Sequence, residues 1–295
     1  MKANTVIRKS FFAFIIATFS IVLQSCSSLF FQPNAIDYSN FWQFQPDISE
    51  IKIKSVDGKE LTHWLVKVDS SSYPKIKGTV VFLHGNGQNN SAYMPLIYWM
   101  TGHGYNVFMF EYRGYGNNTD KLSLDKTISD LELALDTVFS MEELGPVSLY
   151  GQSLGGSISA YVAANYKNRA SFCSVVLEAP FSGYRAIVRE KFSEIWVTWP
   201  FQYPFSWLVS DKYSPIDSIH KISPVPLLII HSHSDRVIPQ SHGKRLYEAA
   251  LPPKEFLSVN GFHIQAMASP SVQNSILEFF RLNHRNKCQI FMYSD

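Results

Sequence analysis

Val147-Ser148-Leu149-Tyr150-Gly151-Gln152-Ser153-Leu154-Gly155-Gly156 is the stretch on which the fold of this chain turns. Val147 to Tyr150 is short and apolar enough for a buried strand, and Leu154 to Tyr166 reads as a helix. Between them Gly151-Gln152-Ser153-Leu154-Gly155 fits G-x-S-x-G. A serine on so sharp a strand-to-helix turn is held in a strained backbone conformation. The flanking glycines let strand and helix approach closely. The turn aims the hydroxyl at the helix N-terminus, where free backbone N–H groups favour developing negative charge. A bare pentapeptide would equally describe a glycine-rich turn with an incidental serine. The strand before it and the helix after it make Ser153 a candidate nucleophile.

Working outward, strands and helices alternate. Strands are expected at Gly78 to Leu83, Tyr105 to Phe110, Val175 to Leu177, Pro226 to Ile230 and Glu255 to Val259. Helices are expected at Ser91 to Gly102, Leu124 to Leu144, Gln240 to Ala250 and Pro270 to Leu282. Such alternation predicts an α/β fold, a mostly parallel sheet with helices on both faces. Upstream, Ile51 to Lys54 and Leu61 to Val68 alternate apolar and polar around Asp57-Gly58, a hairpin signal. Residues 181–217 interrupt the alternation. Phe181, Trp196, Trp199, Trp207 and the breakers Pro200 and Pro204 predict a short aromatic insert over the active edge of the sheet. It is expected to act as a lid or acyl-pocket wall, with Trp199 and Trp207 against the chain; the bland alternative is an excursion packing its own small core.

Three further stretches complete a site. His84-Gly85-Asn86-Gly87 follows the strand ending at Leu83 and would lie beside the turn, so that the N–H groups of Asn86 and Leu154 form an oxyanion hole. His84 itself is expected to brace that loop. No Gly-x-x-x-x-Gly-Lys run supports a phosphate cradle instead. Asp235 follows a late strand and can orient a base, with Glu178 as the rival acid. His263, after the last strand, is the candidate general base; His231, His233 and His242 are the alternatives.

Several spaced motifs, in order, now resemble one family. They include Leu83-His84-Gly85-Asn86-Gly87, Glu111-Tyr112-Arg113-Gly114-Tyr115-Gly116, Glu178-Ala179-Pro180-Phe181, Asp235-Arg236-Val237-Ile238-Pro239 and His263. From about residue 50 to 283 the chain resembles the α/β-hydrolase superfamily, nearest the serine-aminopeptidase and monoacylglycerol-lipase-like group. Glu111 stands where such proteins often carry Asp, and Ser232 where glycine usually follows the histidine. The resemblance implies a serine hydrolase acting on a small acyl ester or thioester through an acyl-serine, with no cofactor or metal. A peptidase or amidase of the same fold, and a non-catalytic binding protein on the same scaffold, stay open.

Composition excludes other classes. Of 295 residues, 46% are hydrophobic and 17% charged, which suits a large core and not a disordered chain. Net charge is +2, and Lys2, Arg8 and Lys9 lie in the first 25 residues, so the remainder is close to neutral. That gives no electrostatic case for a nucleic-acid partner. Those basic residues precede an apolar run from Phe11 to Leu23, too short for a spanning helix and of signal-peptide length. Leu23-Gln24-Ser25-Cys26 resembles a bacterial lipoprotein signal, which implies a signal peptide at 1–25, a lipidated Cys26 and a membrane-anchored tether over 26–45 that later packs on the body; an uncleaved anchor, or a plain secretory signal giving a secreted or periplasmic protein, is the alternative. The hydrolase domain is then expected over 46–283 and a tail over 284–295. Cys173, leading into a buried strand, is expected to be a buried thiol and not a disulfide partner of Cys288.

Overall fold

The hairpin around Asp57-Gly58 forms as β1 (Ile48–Lys54) and β2 (Glu60–Val66), paired antiparallel from Ile48↔Val66 to Lys54↔Glu60. The computed structural model describes residues 30–69 and 71–291, with 285–291 as backbone only. Cys26 and the side chain of Cys288 lie outside the described residues.

Six further strands follow: β3 (Gly78–Leu83), β4 (Tyr105–Phe110), β5 (Val147–Gln152), β6 (Ser174–Glu178), β7 (Leu227–Ser232) and β8 (Lys254–Val259). The sheet order is β1-β2-β4-β3-β5-β6-β7-β8, antiparallel at β1, β2 and β4 and parallel from β4 to β8. Every residue of β3 to β7 is buried, as continuous apolar runs with both faces covered require.

Strand alternation sorts the core into two layers. Val81, Leu83, Phe108, Leu149, Leu177 and Ile229 face α2 (Leu124–Ser140) and α3 (Leu154–Asn165). Val80, Phe82, Met109, Val176 and Ile230 face α1 (Asn90–Ile97) and α7 (Pro270–Phe291). Between β6 and β7 lie α4 (Tyr184–Ser193) and the short α5 (Gln202–Trp207), the cap over the sheet; α6 (Gln240–Ala249) follows β7.

Helix ends depart from the sequence reading. The helix expected to reach Gly102 tightens into a 3₁₀ segment, Tyr98–His103, so that Gly104 in the left-handed region (φ +90°) can turn the chain into β4. The last helix does not stop at Leu282. It runs on because His284 is buried, with Nε2 2.8 Å from Ser148 Oγ and Nδ1 3.2 Å from Lys77 O.

Two features brace the loops at the C-terminal edge of the sheet. The fully buried guanidinium of Arg113 donates to Asp130 of α2, to Asp120 and to Asp57 in the hairpin turn. Three carboxylates around one buried cation tie hairpin, loop and helix together. The segment before β1 is also built in. Phe31 is buried against Tyr112, and Asn89 Nδ2 donates to the carbonyls of Asn34 and Ile36. Cys173 is buried just before β6.

Candidate active site

Ser153 occupies the turn between β5 and α3 with φ +54° and ψ −115°, a region costly for any residue with a Cβ. Its N–H donates to Glu178 O at 2.8 Å, and Ser157 N–H donates to its carbonyl at 3.0 Å, which pins the turn from both sides. The glycines have the steric role expected of them. A Cβ on Gly155 would come within 2.3 Å of Leu83 O, and one on Gly151 within 2.3 Å of Gly155 O.

Ser153 Oγ lies 2.9 Å from His263 Nε2, and His263 Nδ1 lies 2.7 Å from Asp235 Oδ2. The other oxygen of Asp235 accepts from the amides of Val237 (2.8 Å) and Ile238 (2.9 Å). With Nδ1 donating to the carboxylate, Nε2 is free to accept from the serine hydroxyl. Burial pushes the Asp235 carboxyl up, but the hydrogen bond and charge of His263 and the two amides outweigh it. The net direction is down, so the ionised form is favoured. Ser232, where glycine was expected, donates to Gly261 O, so the Asp235 loop and the His263 loop are stitched to each other.

The rival residues are accounted for. Glu178 is fully buried beneath the turn, accepting from Tyr150 OH (2.8 Å), Gln152 Nε2 (2.7 Å) and Ala266 N (3.0 Å). Burial raises its carboxyl against those three hydrogen bonds. It bonds the strand before Ser153 and the loop after His263, and not the imidazole. His231 donates Nε2–H to Ile238 O at 2.8 Å, behind Asp235; His233 is exposed; His242 bonds Ser182 and Glu190. His84 braces its loop, with Nδ1 2.7 Å from Gly85 O and Nε2 2.9 Å from Glu111 Oε1. Glu111, in the place of the usual Asp, also accepts from Asn90 N.

A cavity of about 350 Å³ opens on Ser153 and Leu154. Asn86 lines it too, so both expected oxyanion-hole residues border the serine. Its walls are Phe181, Ile187, Val188 and Phe192 from the cap, Val237 and Ile238 from the Asp235 loop, and Phe30 and Gln32 from the N-terminal segment. The cap therefore supplies the apolar wall, but not through Trp199 and Trp207, which are 58% and 65% exposed. The reason is that α4 faces the cavity and the chain beyond it turns these rings outward. Phe30 and Gln32 had no sequence signal. Phe30 packs edge-on against Tyr184 at 5.0 Å, and Gln32 N–H donates to Asn86 Oδ1 at 2.6 Å.

This geometry has relatives. Residues 74–214 match the Hydrolase_4 family, described as serine aminopeptidase S33. An uncharacterized protein of Salmonella typhi, YfhR, is 32% identical over 250 residues, spanning 80% of this chain and 82% of that protein. The chain belongs to the α/β-hydrolase superfamily. As an α/β-hydrolase it is also 31% identical, over 212 residues, to the lysophosphatidylserine lipase ABHD12 of Xenopus tropicalis, covering 68% of this chain and 53% of that one. The fold is shared with the Pyrococcus furiosus esterase Pf2001, at TM-score 0.64 and 20% identity over 85% of this chain and 98% of that structure. The S33 match includes Ser153 and ends before Asp235 and His263.

Proposed function

We propose that this α/β-hydrolase is a serine hydrolase cleaving a carboxylic ester or thioester through an acyl-serine intermediate. The observation that carries the reading is the hydrogen-bonded run from Ser153 Oγ to His263 to Asp235, with Ser153 lining a largely apolar cavity. Ser153 attacks the carbonyl carbon as His263 Nε2 takes its proton. Asp235 holds the tautomer and stabilises the imidazolium. The N–H groups of Asn86 and Leu154 receive the oxyanion, and the leaving group departs with the proton from His263. Water, deprotonated by the same imidazole, then releases the acid and restores Ser153.

The cavity favours an acyl chain over a peptide. Among the described residues its lining includes Lys191 and no Asp or Glu, so no carboxylate among them would neutralise the ammonium that an aminopeptidase must hold. The relative named as a lysophosphatidylserine lipase agrees with an acyl-ester substrate. We also propose that Cys26 is lipidated and anchors the chain to a bacterial envelope membrane, on the strength of Leu23-Gln24-Ser25-Cys26 after the apolar run.

A fluorophosphonate probe tests the nucleophile. Wild type should label once, and Ser153→Ala should abolish labelling and lower p-nitrophenyl ester turnover by about 10⁴-fold or more. Labelling that survives in a folded Ser153→Ala variant would name another nucleophile. For the anchor, membrane fractionation and N-terminal mass spectrometry of wild type and Cys26→Ala are compared. Identical partitioning with no acylated N-terminus would overturn it.

A further inference from the structure

We propose that the exposed aromatic surface of the cap docks on a lipid bilayer, so that the Ser153 cavity takes its acyl substrate from the membrane surface; this rests on the acyl-ester reading above. The first observation is compositional. Residues 195–210 contain no Asp, Glu, Lys or Arg, and three of the chain's six tryptophans lie at 196, 199 and 207. The second is that these side chains do not build a core. Trp196 is 85% exposed, and Ile195, Trp199, Phe201, Tyr203 and Trp207 are each more than half exposed. Exposed single apolar residues are ordinary, but a charge-free run presenting so many large rings marks a surface with a partner. Tryptophan and tyrosine are the residues enriched where one end of a ring is apolar and the other wet, at the level of lipid headgroups.

Chain length decides which partner. The N-terminal segment enters the described structure at Phe30, and Phe30 is itself part of the cavity wall. The apolar run of the sequence ends at Leu23, seven residues earlier, and Cys26 is four residues earlier. Even fully extended, these spans are about 25 Å and about 14 Å. Membrane attachment through either feature therefore holds Phe30, and with it one wall of the cavity, within that distance of the bilayer. The cap borders the same cavity, because Phe192 of α4 lines it and packs on Phe205 of α5 at 5.0 Å between ring centres. Two features far apart in sequence thus converge at one cavity, one able to reach a membrane and one suited to rest on it. No described helix is long and apolar enough to cross a membrane; the contact proposed for the cap is an in-plane one. An acyl chain leaving the bilayer would enter the cavity that Phe30, Phe192 and Ser153 line together.

The test uses the full-length chain reconstituted into phosphatidylethanolamine–phosphatidylglycerol vesicles carrying brominated acyl chains. Tryptophan emission should be quenched, and the quenched fraction should disappear when Trp196, Trp199 and Trp207 are all replaced by Tyr. In the corresponding triple Trp→Ser variant, turnover of a long-chain ester held in vesicles should fall about tenfold. Turnover of a soluble acetate ester and fluorophosphonate labelling should not change, which also shows that the variant folds. Absent quenching in wild type, or equal quenching in the Tyr variant, would overturn the proposal. So would a concentration-dependent dimer that the Ser variant abolishes, since the cap would then cover a second copy of this chain. Quenching without any labelling of Ser153 would strike the serine reading and leave the docking surface standing.

Discussion

Ser153 keeps a conformation that costs of order 1–3 kcal/mol because its neighbours leave no alternative. Beside it, two buried carboxylates divide the work by position. Asp235 accepts from His263 Nδ1, whereas Glu178 accepts from Tyr150, Gln152 and the amide of Ala266. The two should separate cleanly by mutation. Asp235→Asn leaves the base in place with its tautomer unfixed, and kcat should drop by about 10⁴-fold with folding retained. Glu178→Gln removes one acceptor from a buried cluster and should cost about 1–3 kcal/mol of stability while kcat changes less than about tenfold. Comparable kcat losses from both would mean that Glu178 shares the orienting role. Sequence order alone singled out Ser153, Asp235 and His263, because each follows a strand end on the same edge of the sheet. It favoured Asp235 over the rival Glu178 by the order Ser…Asp…His, although both acids follow strands. Pairing decides: Gln152 lies opposite Glu178 in the β5–β6 register, which puts that carboxylate beneath the turn and out of line with the imidazole. Phe30 and Gln32 were invisible for a different reason. Their place in the wall comes from contacts with residues far along the chain, which no local pattern encodes.

At the scale of elements, all eight strands were legible, because β3 to β7 are buried runs that nothing but a covered parallel sheet would tolerate. Helix ends were not legible. They are set by tertiary partners, such as the buried His284 that carries α7 beyond Leu282. The crossing of α3 over β3 shows how tight the working edge is, since any side chain at position 155 would meet the carbonyls of Leu83 and His84. The cap works the other way, by offering room. Ile187, Val188 and Phe192 set how much acyl chain fits, at about 0.8 kcal/mol for each buried methylene. Ile187→Trp should therefore fill the cavity and move the preference among p-nitrophenyl esters toward short chains, leaving acetate turnover within about threefold of wild type. A uniform loss across the chain-length series would show that α4 only supports the fold.

For the whole molecule, acid is the condition to which this architecture is most exposed. Burial pushes His63 down to about 3, between Phe108 and Phe110, with Nδ1 accepting from Glu111 N–H. Burial, and then the Arg245 charge, push His242 down to about 4 against the pull of Glu190. Burial also lowers His231 and His284. Unfolded, each would titrate near 6.5. Above that value both states are neutral and these groups contribute nothing. Below it the unfolded chain binds protons that the folded chain refuses, so stability falls continuously toward pH 3 to 4. Asp235, depressed in the folded state, adds stability that is present above the ordinary aspartate range and is lost as pH falls through its lowered value. The raised Glu178 has the opposite sign: it contributes stability that is present below the ordinary glutamate range and is lost as pH rises through its raised value. The thermal midpoint should thus drop steadily between pH 7 and pH 5, before most carboxylates titrate. Replacing one buried histidine isolates its share. His63→Gln can still accept the Glu111 amide but cannot take up a proton, so its midpoint should fall less over that interval, by on the order of 4 °C. Calorimetric scans of both proteins at pH 7, 6 and 5 measure this difference. Parallel curves would mean that His63 is protonated in the folded core and that another group carries the acid sensitivity.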